Sequence, residues 1–114
     1  MKYSNVVVAG GGVLGSQIAF QAAYCGFNVT IWLRSEGSIG RTQPKIDHLK
    51  QTYIEAIEKM AEDKNAWCAG LADEDTFDKE ECLKKVENAY ANLKLELDMA
   101  KAVADADLVI ESMA

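Results

Sequence analysis

The chain has 114 residues, enough for one compact domain and too few for two. With 49% hydrophobic and 26% charged residues its composition is globular, which excludes intrinsic disorder. The net charge of −6 is split into +2 over residues 1–43 and −8 over residues 44–114, and so acidic a body argues against nucleic acid or an anionic membrane as partner. No stretch approaches the roughly 18 apolar residues of a membrane span, and residues 1–9 lack the makeup of a signal peptide. Cys25, Cys68 and Cys82 are odd in number and have no metal-ligand spacing, which points to reduced thiols and a cytoplasmic protein.

Tyr3 to Ala9 reads as a buried strand, because Val6, Val7 and Val8 form the continuous β-branched run that parallel sheets use. Gly10 to Gly12 break it. A helix follows, with Leu14, Ile18 and Ala22 at steps of four, and Gly26 stops it. Asn28 to Leu33 alternates and is rich in β-branched residues, so it is a second strand. Strand, helix and strand within about thirty residues make one βαβ unit, with a parallel pair and a right-handed crossover.

Residues 34–43 (RSEGSIGRTQ) read as a loop, with a frayed helical turn as the alternative, and Pro44 is placed as the first residue of the next helix. From there Ile46, Leu49, Tyr53, Ile57 and Met60 keep helical spacing to about Glu62. Residues 63–75 form a connector. Asp75 or Thr76 is expected to cap a third helix carrying Leu83, Val86, Tyr90 and Leu93. Leu93, Leu95 and Leu97 then alternate as a short strand, Asp98 caps a brief helix through Val103, and Asp107 to Ser112 is a fourth strand. The order β-α-β-α-α-β-α-β predicts an α/β doubly wound parallel sheet with strand order 3-2-1-4, carrying a helical-hairpin insert at about 44–92.

Gly10-Gly11-Gly12-Val13-Leu14-Gly15 fits G-x-G-x-x-G. In this reading Gly10 permits the tight turn out of the strand, and Gly12 leaves the backbone open to a pyrophosphate. Gly15 lets the helix approach the sheet. The diphosphate would rest on free N–H groups at a helix N-terminus. The motif follows a strand and opens a helix inside a βαβ unit, the context that distinguishes a dinucleotide site from a bare turn. A P-loop is excluded, since no G-K-[ST] closes the run.

A carboxylate at the end of the second strand normally binds the adenosine ribose of NAD. That position is Leu33, followed by Arg34 and Ser35, with Arg41 nearby. A guanidinium and a hydroxyl suit a 2′-phosphate, so Leu33, Arg34 and Ser35 favour NADP(H) over NAD(H). The competing reading leaves Arg34 solvated and gives the ribose to Glu36.

Three stretches resemble the N-terminal NAD(P)-binding domain of the 3-hydroxyacyl-CoA dehydrogenase family. They are VVVAGGGVLGSQIAFQAAYCGFNVTIW, the helical insert, and LELDMAKAVADADLVIES. The resemblance spans essentially the whole chain and implies a partial Rossmann domain, ending just after its fourth strand. It implies hydride exchange between a nicotinamide cofactor, NAD in most of the family, and the 3-hydroxyl of a hydroxyacyl-CoA or related hydroxy acid. The family's His–Glu pair and its helical substrate and dimerisation domain follow the fourth strand, so residues 1–114 are expected to bind cofactor without turnover. The parent is expected to be a homo-oligomer. Two departures stand out. Leu33 replaces the acidic residue, and Leu49 and Ala56 stand where the family has serine and lysine contacts to CoA. The alternative reading is a dinucleotide-binding or sensing module without chemistry of its own.

His48 reads as a surface residue of the second helix rather than a catalytic base. The acids Asp73, Glu74, Asp75, Asp78, Glu80 and Glu81 lack EF-hand order and read as solvated charge at a helix N-terminus. Cys25 and Cys82 are expected to pack on apolar helix faces. Glu111 ends a strand on the carboxyl edge of the sheet, within possible reach of a nicotinamide.

Overall fold

The computed structural model describes residues 4–62 and 78–112. Four strands form one parallel sheet in the order β3-β2-β1-β4, as the alternation of elements predicts. β1 (Asn5–Ala9) leads into α1 (Val13–Tyr24), which returns to β2 (Asn28–Trp32). α2 (Glu36–Glu62) and α3 (Lys79–Asn92) form the insert. The chain closes with β3 (Lys94–Glu96), α4 (Met99–Val103) and β4 (Leu108–Glu111). The chain leaves β1 towards β2 on one side, while β4 lies on the other, so the strand order reverses at the carboxyl end of β1.

Register explains the core. Val6 pairs with Val29 and Leu108, and Val8 pairs with Ile31 and Ile110. These residues share one sheet face, because side chains alternate along a strand. Val6, Val8, Val29 and Ile31 pack there against Ala19, Phe20 and Ala23 of α1, Ile46 and Ile57 of α2, and Cys82, Val86 and Ala89 of α3. Val7 is also buried, on the opposite face, as the unbroken valine run requires. Gly26 takes φ +103° just after α1, the backbone region that stops a helix.

The insert is fixed by polar as well as apolar contacts. The Tyr53 ring sits 4.7 Å from Phe20 and 5.5 Å from Tyr24, edge-on to both. Its hydroxyl donates to Gln21 Oε1 at 2.5 Å, and burial pushes its pKa up to about 12. Between α2 and α3, Tyr90 donates to Asp47 at 2.6 Å and Lys50 pairs with Glu87 at 3.3 Å.

Several boundaries differ from the sequence reading. α2 starts at Glu36, not at Pro44, so the expected loop 34–43 is mostly helical and Pro44 lies inside the helix. Proline costs a helix one N–H···O bond and a ring clash. Here the first two turns are held from outside the helix: Thr42 is 2% exposed and bonded to the glycine turn, and Ile39 packs on the core. Asp78 caps α3, accepting from the Glu81 N–H at 3.2 Å. The caps expected at Asp75 or Thr76 lie outside the described residues. Asp98 caps α4 as expected, accepting from the N–H groups of Ala100 and Lys101. Cys82 is buried, but Cys25 is exposed, because α1 ends at Tyr24 and Cys25 is its C-cap. Cys68 lies outside the described residues.

Candidate functional site

Where β1 ends, Gly10 takes φ +119°, a conformation that side-chain-bearing residues rarely adopt. Its N–H donates to the Trp32 carbonyl at 3.0 Å, so the turn begins one residue past the sheet ladder. Gly12 is the N-cap of α1 and supplies no side-chain hydrogen bond, which leaves the first-turn N–H groups facing outward without intrahelical acceptors. A helix start of this kind offers an anion its free N–H donors.

The four glycines differ in why they are glycines. A Cβ on Gly15 would collide with the Gly10 carbonyl oxygen and lie 2.7 Å from Ser112 Oγ. One on Gly11 would strike the Thr42 hydroxyl and lie 2.5 Å from Leu33 Cδ2. On Gly12 it would meet nothing within 4 Å, and the backbone there has an ordinary φ of −71°. The fold therefore needs Gly11 and Gly15 bare, while Gly12 leaves free space at the mouth of the helix.

That space belongs to a cleft of about 350 Å³ lined by the turn Gly10–Gly12, the β2 end with Trp32, Leu33 and Arg34, and one face of α2. Ser38, Arg41, Thr42 and Lys45 supply the α2 wall. Their spacing of three, four and seven residues puts them on a single helix face. Arg41 Nη2 donates to Ser38 Oγ at 3.0 Å, and Ser38 Oγ lies 3.2 Å from Ser35 Oγ. Among the described residues three cations line the cleft and no carboxylate does. Ser112, just past β4, closes the far end, its N–H bonded to the Ala9 carbonyl at 2.9 Å. Its Oγ is the single buried side-chain polar atom without a hydrogen-bond partner among the described residues.

Of the residues singled out from the sequence, Gly10, Gly11, Gly12, Leu33 and Arg34 line this cleft. The Leu33 side chain is buried, 3% exposed, against the turn. Gly15 lies beneath the turn, and the side chains of Val13 and Leu14 project outward, 65% and 64% exposed. Ser35 touches the cleft only through Ser38. Trp32, Ser38, Thr42, Lys45 and Ser112 were not anticipated. For Ser38, Thr42 and Lys45 the signal is the helical phase of 36–45, which a loop reading of that stretch hides. His48 is exposed on α2, and Glu36 and Glu111 are exposed and do not line the cleft. Among the described residues no group of three metal-ligating side chains clusters, and no helix is long and apolar enough to cross a membrane.

The family model of the 3-hydroxyacyl-CoA dehydrogenase NAD-binding domain matches residues 5–114. The chain belongs to this family. Its solved relatives include a diketoreductase acting on dicarbonyl compounds, 33% identical over 99% of this chain and 32% of its own, with a TM-score of 0.73. A 3-hydroxybutyryl-CoA dehydrogenase from Escherichia coli is 22% identical over 100% of this chain and 19% of its own, with a TM-score of 0.62. One from Ralstonia eutropha is 17% identical over 99% and 32%, with a TM-score of 0.63. At those identities the last two bear on the fold alone. No curated protein sequence matches. The chain thus spans a third or less of the length of these relatives, and the residues that line its cleft fit a nicotinamide dinucleotide: a glycine turn with free N–H groups, room above Gly12, and an unsatisfied hydroxyl.

Proposed function

We propose that the chain is the cofactor-binding part of a dehydrogenase exchanging hydride with the 3-hydroxyl carbon of a hydroxyacyl-CoA or related hydroxy acid. We further propose that it takes NADP(H) in preference to NAD(H). When bound, the nicotinamide ring supplies the hydride or accepts it. The first-turn N–H groups of α1 would hold the diphosphate. Arg34, Arg41 and Lys45 would neutralise a phosphate on the adenosine ribose, with Ser38 as a further donor. The family's usual acidic residue would repel that phosphate, and the apolar Leu33 stands in its place. The family name favours NAD, whereas the charge of the cleft favours NADP. Within residues 1–114 the sole histidine, His48, lies exposed on α2 and off the cleft, so the chain alone should show no turnover.

Gly12 carries this reading, because neither strain nor packing in the protein demands a glycine there. Gly12→Ala should fold, with a small drop in thermal midpoint for the poorer N-cap, and bind cofactor more weakly. Gly15→Ala should lose both stability and binding. Titration with NADPH and NADH in parallel, read by quenching of the cleft residue Trp32, tests the preference, with Trp67→Phe removing the other tryptophan. Tighter binding of NADH would remove the NADP assignment and leave the dinucleotide site. Undiminished binding by Gly12→Ala would remove the placement of the diphosphate.

A further inference from the structure

The geometry points to Ser112 as a cofactor-contacting residue whose hydroxyl bonds the diphosphate or the ribose beyond it on the nicotinamide side. This assignment rests on the dinucleotide reading above and extends it to the other half of the ligand. A buried hydroxyl without a partner is a cost that folded chains rarely carry. Its position is specific. The Ser112 backbone is tied to Ala9 at the end of β1, so the residue stands at the reversal of strand order, where open parallel sheets bind ligands. Its Oγ lies against the first turn of α1, 2.7 Å from where a Gly15 Cβ would be. The residue also lines the same cleft as Arg34, Arg41 and Lys45, and it follows β4, on the side of β1 opposite the β2 end that carries Arg34.

A ligand with its phosphomonoester on the cations and its diphosphate over Gly12 must extend its remaining sugar towards β4. A rotation about one side-chain bond of Ser112 turns the hydroxyl from the helix to that sugar or its phosphate. The bound cofactor then supplies the missing partner. An alanine at this position would keep the strand contact, which runs through the backbone, and lose only the ligand bond.

The test compares Ser112→Ala with the unmodified 114-residue chain against four probes: NADPH, ADP-ribose, 2′,5′-ADP and AMP. Ser112→Ala should bind NADPH and ADP-ribose about tenfold more weakly and the two adenosine-half probes unchanged. Its thermal midpoint without ligand should be equal or higher, since the substitution deletes an unpaired polar atom. Unchanged binding of NADPH and ADP-ribose overturns the role of Ser112 alone. So does parallel loss of the adenosine-half probes, or a lowered midpoint, either of which marks a structural residue. Failure of the unmodified chain to bind either dinucleotide overturns the cofactor reading and this assignment with it.

Discussion

The Thr42 hydroxyl donates to the Gly11 carbonyl across 3.1 Å, so the second turn of α2 holds the glycine turn of β1–α1. The Ser16 hydroxyl donates to the same oxygen at 3.2 Å from the α1 side. Two buried hydroxyls, one from each helix, thus fix the peptide just before the free N–H groups. Thr42→Val keeps the shape and removes one donor. It should destabilise the fold by about 1 kcal/mol, measured as a lower urea midpoint with an unchanged slope, and Ser16→Ala should act in the same direction. A Thr42→Val midpoint equal to that of the unmodified chain would mean that the contact contributes nothing.

Arg41 and Lys45 stand one turn apart on the α2 wall of the cleft, with Arg34 across from them. Each charge-assisted bond to a phosphate is worth about 1–3 kcal/mol. Arg34→Ala and Arg41→Ala should therefore weaken NADPH selectively, by roughly 5- to 100-fold, while NADH binding changes little. The gap between the two cofactors should also narrow as salt rises, because the cations are solvent-facing and screened. Equal losses for both cofactors would place the cations on the diphosphate instead.

How far the sequence spoke for the site depended on one segment. The glycine turn was legible because every constraint on it is local: strand, φ of Gly10, helix start. The sheet order was legible because the valine run, the βαβ spacing and the Asp98 cap of α4 each fix an element by short-range chemistry. Residues 34–43 were not legible. Gly37, Gly40 and Pro44 all disfavour a helix, and what overrides them is tertiary: Thr42 on Gly11 and Ile39 on the core. Without the helix there is no phase, and without phase Ser38, Arg41, Thr42 and Lys45 cannot be seen to share a face. Ser112 was hidden for a different reason. A serine after a strand carries no signal until the fold shows its hydroxyl without a partner.

Asp107 ties the start of β4 to the start of β1. Its carboxylate accepts from the N–H groups of Asn5 and Ser4, both at 2.9 Å, and these bonds hold its pKa below the ordinary 3.8. Asp47, which accepts from Tyr90 and Gln43, is lowered likewise. A carboxyl lowered by folding adds stability that is complete above its unfolded pKa and is lost as pH falls through its folded one. Stability should therefore drop on acidification from about pH 5 to below about pH 4. Asp107→Asn should be less stable near neutrality and lose less over that interval, with Asp47→Asn as an independent comparison. Urea midpoints at a series of pH values decide it, and an Asp107→Asn profile parallel to that of the unmodified chain would contradict the linkage.

β4 pairs with β1 on one side and is the last strand of the described sheet. Among the described residues no strand pairs with its other edge, and Leu108 and Val109 are 40% and 50% exposed. Edges of this kind recruit further strands unless a charge, a proline or a covering element blocks them. Within β4 only Glu111 is charged, and it sits at the carboxyl end, leaving Leu108 to Ile110 unguarded. The 114-residue chain should therefore self-associate with rising concentration, seen as a growing mass by light scattering. Val109→Lys places a charge in the middle of the edge and should shift the chain back towards the monomer. A mass that stays monomeric at high concentration in the unmodified chain would show that the exposed edge does not drive pairing.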